Sequence, residues 1–177
     1  VIEGVTIQPS STTGLWFAST LSNSPVAIKT TSVTNADPTL NHLVLFAGAL
    51  TSSQLTIADS SFVSSATAGT YNALMIQAPV TDSAVTLTNT VLTHWYVGFW
   101  ATQLWTRSPF ALDGGSSVTA TFALIFSAIT DSPIAIAQST VTSIVQRALD
   151  IRGVATRSDL TISESSVGGG VSTRYMS

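Results

Sequence analysis

Apolar and polar residues alternate along this chain in short bursts, and the bursts recur in a common register. The segments Ser24-Pro25-Val26-Ala27-Ile28, Ser53-Gln54-Leu55-Thr56-Ile57, Ser83-Ala84-Val85-Thr86-Leu87, Ser108-Pro109-Phe110-Ala111-Leu112, Ser132-Pro133-Ile134-Ala135-Ile136 and Ser158-Asp159-Leu160-Thr161-Ile162 share one pattern. It reads serine, any residue, apolar, threonine or alanine, apolar. The first apolar position falls at 26, 55, 85, 110, 134 and 160, in steps of 24 to 30 residues. Val5-Thr6-Ile7 reads as a partial earlier copy. Steps that vary while their anchors persist are what a solenoid with one variable turn produces.

A further apolar anchor follows each copy: Val33, Phe62, Leu92, Val118, Val141 and Val167. Counting back from each serine places a third strand. Its inward positions read Leu15, Val44, Leu74, Phe99, Ala123 and Leu149, then Phe17, Phe46, Ile76, Ala101, Ile125 and Ile151. Every segment is short and alternates with period two, which predicts strands; frequent Ser and Thr and no sustained helical period argue against helices. Strands this short bury little alone, but stacking equivalent strands about 4.8 Å apart covers each apolar ladder from above and below. A β-sandwich would also alternate, yet it has no reason to keep one register six times. The expected fold is all-β, a right-handed single-stranded parallel β-helix of about six to seven coils, with 1–177 as a single domain. The ladder resembles the pectate-lyase-like right-handed parallel β-helix superfamily and, in its Ser/Thr/Ala-rich character, adhesin-like surface repeats. That resemblance implies polysaccharide-cleaving enzymes and inert stalks alike, so it speaks to fold and leaves function open.

Composition narrows the partners. Charged residues make up 8% of the chain and the formal net charge is −3, which gives no basic field for nucleic acid or for anionic membrane. Mean hydropathy is +0.42, but no apolar run is long enough to cross a bilayer as a helix. The absence of cysteine rules out a disulfide framework and a thiolate metal site. No amphipathic capping segment stands at either end, so the expectation is a piece of a longer solenoid or a unit that stacks on copies of itself.

Stacked coils turn sequence columns into surface features. The outward positions of the third strand give an apolar stripe from Trp16, Leu45, Met75, Trp100 and Leu124, extended by Phe126 from the next outward column. At roughly several hundred Å² such a stripe is of interface size, and it would pack against another chain, a neighbouring domain or a covering segment. A one-residue slip in some coils would instead turn its tryptophans inward, and exposed rings could stack on sugars. Trp105 aligns with Leu21, Leu50, Val80, Ile129 and Ala155 and belongs to the core. Immediately before each serine stand Asn23, Ser52, Asp82, Arg107, Asp131 and Arg157. This predicts an Asp82–Arg107–Asp131–Arg157 ladder at one corner, fixing register more than it adds stability. The interleaved arginines argue against Ca²⁺ there.

Catalytic chemistry is thin. Asp150 and Arg152 alternate outward on one strand, as at a groove, but their columns offer no second carboxylate for glycoside chemistry. Asp113 beside Gly114-Gly115 reads as a turn residue. His42 and His94 have neither a nucleophile triad nor paired metal-ligand spacing. The variable turn of each coil, Thr34 to Asn41, Ser64 to Asn72 and Thr93 to Val97, is where a solenoid collects binding residues. His94-Trp95-Tyr96 is accordingly a candidate ligand contact, or equally a turn packed over the coil edge. No metal or cofactor is expected. The outward threonines of the first strand are interrupted by alanines, which argues against ice binding. The expectation is a non-enzymatic, adhesin-like module at the cell surface or outside the cell, assembling through its apolar outer face and its open ends. The alternative is a polysaccharide-binding or polysaccharide-cleaving protein.

Overall fold

The computed structural model describes residues 1–7, 13–35, 42–65, 72–94 and 96–176, apart from the side chains of 173–176. These residues form no helix, and they wind through about six turns of a parallel β-solenoid. Each turn contributes one strand to each of three faces. The first face stacks Ile2–Glu3, Val26–Lys29, Leu55–Ala58, Val85–Thr88, Phe110–Asp113, Ile134–Ala137 and Leu160–Ser163. The second begins with Thr6–Ile7 and continues through Ser32–Asn35, Ser61–Ser64, Val91–Thr93 and Ser117–Ala120. The third runs through Thr13–Phe17, His42–Phe46, Asn72–Ile76, Val97–Thr106 and Phe122–Thr130. The long strands Thr140–Thr156 and Ser166–Met176 bend across the second and third faces without a break.

The apolar ladders follow the repeat. Val26, Leu55, Val85, Phe110, Ile134 and Leu160 form a single stack, with Ile2, Ile28, Ile57, Leu87, Leu112, Ile136 and Ile162 as a second beside it. The partial copy at Val5-Thr6-Ile7 belongs elsewhere. Thr6 and Ile7 pair with Ser32 and Val33 of the second face, because the chain has already turned a corner at Gly4, φ 64°.

The third face carries a larger correction. Leu124 stacks on Phe99 and Phe126 on Ala101, so both are core residues with no exposed surface, and Ile125 takes the outward place next to Trp100. The cause is one missing residue. Ala101 and Trp105, like Ile151 and Ala155, are four apart, but their stacked partners Phe126 and Ile129 are three apart. Counting back from the serine therefore shifts this coil by one. The inward Phe126 meets Phe99, Trp105 and Phe110 in a cluster with ring centroids 4.9 to 6.4 Å apart. Ala101 leaves the room that these rings occupy, and Trp105 is core, as its column predicts.

Corners explain the conserved spacing of the serines within the repeat. Asn23, Ser52, Asp82, Arg107, Asp131 and Arg157 all lie in the left-handed region, φ 47 to 51°, a conformation that disfavours most side chains. The serine that follows compensates locally. Ser83 Oγ donates to Thr81 O at 2.8 Å and accepts the Ser53 N–H at 2.9 Å, and Ser53, Ser108, Ser132 and Ser158 repeat both bonds. A buried hydroxyl ladder thus runs the length of the molecule. A second left-handed column, Thr30, Asp59, Asn89, Gln138 and Glu164, is followed by its own hydroxyls at Thr31, Ser60, Thr90, Ser139 and Ser165. In the intervening coil this corner is Gly114-Gly115, both with positive φ. The extra residue there delays Val118 by one; Asp113 ends the strand before the turn.

Candidate functional site

The outer surface of the third face holds most of the distinctive side chains. Trp16, Leu45, Met75, Trp100, Ile125 and Asp150 stack there in that order. The column is continuous, but it is not an open stripe: Leu45, Met75 and Ile125 are buried and Trp100 is half-buried, leaving Trp16 alone at 66% exposure. Around Trp100 the chain covers this layer itself. The Arg152 guanidinium lies 5.7 Å from the Trp100 ring centre and 5.3 Å from that of Phe122, and the Tyr96 ring meets Phe122 edge-on at 5.7 Å. Long cationic side chains commonly cover apolar surface with their stems in this way. Leu124 and Phe126 take no part in it.

Asp150 is 1% exposed. Arg147 Nη1 donates to its Oδ1 and Arg152 Nε to its Oδ2, each at 3.0 Å. Both carboxylate oxygens are thereby committed to arginines. The neighbouring outward positions in the stack are Ile125 and Ser172, so no second carboxylate faces it. A general acid or nucleophile needs a free oxygen aimed at substrate; this pair of bonds fits a positioning role for the arginines.

His94 and His42 sit at the turn edge. The His94 backbone N–H donates to Thr119 O at 3.0 Å, and its Nδ1 accepts the Tyr96 N–H at 3.2 Å. Asn72 Nδ2 lies 3.1 Å from His42 Nδ1. Burial pushes the His94 imidazole down to about 4, with the nearby His42 adding to the effect, and burial also lowers His42. His94 is thus neutral at pH 7. The His94 ring is buried and Tyr96 half-buried, while Trp95 and most of the longer turns, 36–41 and 66–71, lie outside the described residues. Among the described residues no group of three or more His, Cys, Asp or Glu could hold a metal ion.

The corner ladder forms as two bidentate pairs. Arg107 Nε and Nη2 reach Asp82 at 2.7 and 2.8 Å; Arg157 makes the same bonds to Asp131 at 2.6 and 2.7 Å. Hydrogen bonding to the arginines holds both carboxyls below their usual range. At the other corner Asn89 donates to Asp59 at 2.8 Å and Gln138 to Glu164 at 3.0 Å, a second set of cross-coil contacts that the repeat alone did not reveal.

The last coil differs from the rest. Ile162 is 41% exposed and Val171 48% exposed, although both occupy inward ladder positions, and their partners one coil earlier, Ile136 and Leu149, are sealed. No family model, curated protein or solved structure matches the chain. None of the described helices could cross a membrane, since there are none.

Proposed function

We propose that this chain is a non-enzymatic structural module of a cell-surface or extracellular protein. The observation that carries the reading is the unbroken stack of apolar ladders and corner hydroxyls through successive coils, a repetitive scaffold in which each coil is sealed by its neighbours. The engagement of Asp150 by two arginines supports the non-enzymatic side. Kinship with pectate-lyase-like β-helices, and with adhesin-like repeats in particular, is part of the same proposal. The outer face of the third sheet adds less support, since only Trp16 of its column stands widely exposed.

A panel of polysaccharides tests the reading. The chain is expected to cleave none of them, and turnover of any substrate that is lost in Asp150→Asn would overturn it. The exposed Trp16 ring favours a second reading, carbohydrate binding, because an indole face can stack on the apolar side of a pyranose. Binding without cleavage in the same polysaccharide panel would favour it.

A further inference from the structure

Two guanidinium groups serve one carboxylate on the third face, and the surplus charge is fixed in place. Asp150 is buried, and one cation would balance it; it has two, Arg147 and Arg152. Arg147 commits only Nη1 to the contact and Arg152 only Nε, and both side chains stay partly open to solvent. The outward neighbours of Asp150 in the stack, Ile125 and Ser172, carry no charge to neutralise the surplus. By contrast, Arg107 and Arg157 each form a bidentate pair with one carboxylate. Arg152 also lies against the Trp100 and Phe122 rings, so its remaining N–H donors are positioned before any ligand arrives. The result is a locally cationic site in a chain of net charge −3.

An exposed apolar crest adjoins this pair. Immediately before Arg147, Ser143 to Gln146 form a bulge that the next coil spans with Gly169 alone, between Gly168 and Gly170. The bulge is closed from beneath: Ser143 Oγ donates to Thr121 O at 2.8 Å and accepts the Gln146 N–H at 2.9 Å. Ile144 and Val145 at its crest are 53% and 64% exposed, although coils of this chain lie on both sides of them. Apolar side chains held out on a braced bulge mark a contact surface.

We propose that Arg147, Arg152 and the crest of Ile144 and Val145 form a binding site for an extended peptide segment of a partner protein, one in which an aspartate or glutamate stands beside aliphatic residues. The remaining N–H groups of the arginines take the carboxylate, and the crest buries the aliphatic side chains. Carbohydrate is the poorer occupant, because a pyranose stacks on an open aromatic face and Arg152 already covers Trp100 and Phe122. The inference goes beyond the structural role proposed above and does not depend on it.

Titration of the isotope-labelled full chain with a blocked peptide, one glutamate between two valines flanked by threonines, tests it by nuclear magnetic resonance. The methyl resonances of Ile144 and Val145 and the side-chain N–H of Arg152 are expected to shift together and saturate, with affinity falling as salt is raised. Replacing the peptide's glutamate by glutamine leaves the protein untouched and is expected to weaken binding about tenfold, the loss of a charge-assisted hydrogen bond. Arg147→Gln, which leaves Asp150 its bond to Arg152, is expected to weaken it equally. Ile144→Ser/Val145→Ser, altered at exposed positions, should also bind more weakly while melting as the parent does. The site is overturned by the absence of a saturable shift, by equal affinity for the glutamine peptide, or by unchanged affinity in either variant. An anionic oligosaccharide that shifts these resonances when the peptide does not overturns it as well.

Discussion

At each corner of the solenoid a single serine hydroxyl satisfies two buried backbone groups at once. Ser108 Oγ donates to Thr106 O at 2.7 Å and accepts the Ser83 N–H at 2.9 Å, and the residue before it can hold its left-handed turn because of those bonds. Ser108→Ala would leave the buried Ser83 N–H without a partner, a loss of about 1–3 kcal/mol, while Thr106 O keeps the Asp82 N–H at 3.1 Å. Denaturant unfolding should show it, whereas exposed Ser22→Ala should change little. The same buried setting makes His94 a stability sensor. Its folded value is about 4 and its ordinary value 6.5, so between these the unfolded chain binds a proton that the folded chain does not. Stability contributed by the neutral ring is complete above pH 6.5 and is lost as pH falls toward 4, by up to roughly 3 kcal/mol. His94→Gln should flatten that part of the pH–stability curve. A curve of unchanged slope would show that His94 titrates normally in the fold.

At the scale of strands, one coil shows how much a register depends on a single residue. Phe126 sits over Ala101 in the core because its strand is one residue shorter before Ile129. Phe126→Ala should therefore cost about 3–5 kcal/mol, as for a buried ring, where an outward Phe126 would cost little. The ladders at Val26 to Leu160 and the second-face anchors from Val33 to Val167 were legible in the sequence, because serine hydroxyls and apolar residues recur at fixed offsets. The corner pairs of Asp82 with Arg107 and of Asp131 with Arg157 were legible for the same reason. Leu124 and Phe126 were misplaced because a deletion between two anchors leaves both anchors intact. The second hydroxyl ladder went unread, though Thr31, Ser60, Thr90, Ser116, Ser139 and Ser165 each precede an inward anchor by two residues; abundant serine elsewhere hid that signal. The roof over the third face could not be read from columns at all. Arg152 belongs to one coil and reaches across to Trp100 and Phe122 of two others, and an arginine's reach is not encoded in a period.

For the molecule as a whole, each coil is sealed by its neighbours, so stability and assembly both reduce to contacts between adjacent coils. The structural role proposed above draws on that geometry, since successive coils repeat the same kinds of contact to their neighbours. The claim beneath it is that equivalent positions lie one rung apart along a single axis. Distances between spin-label pairs measure this directly, and the absence of native cysteine allows clean labelling of the outward first-face column. With one label at Ala27→Cys and the second moved through Thr86→Cys, Ala111→Cys, Ala135→Cys and Thr161→Cys, the separation should grow steadily by about 4.8 Å per coil. Distances that rise and fall along that series would contradict the stacked solenoid.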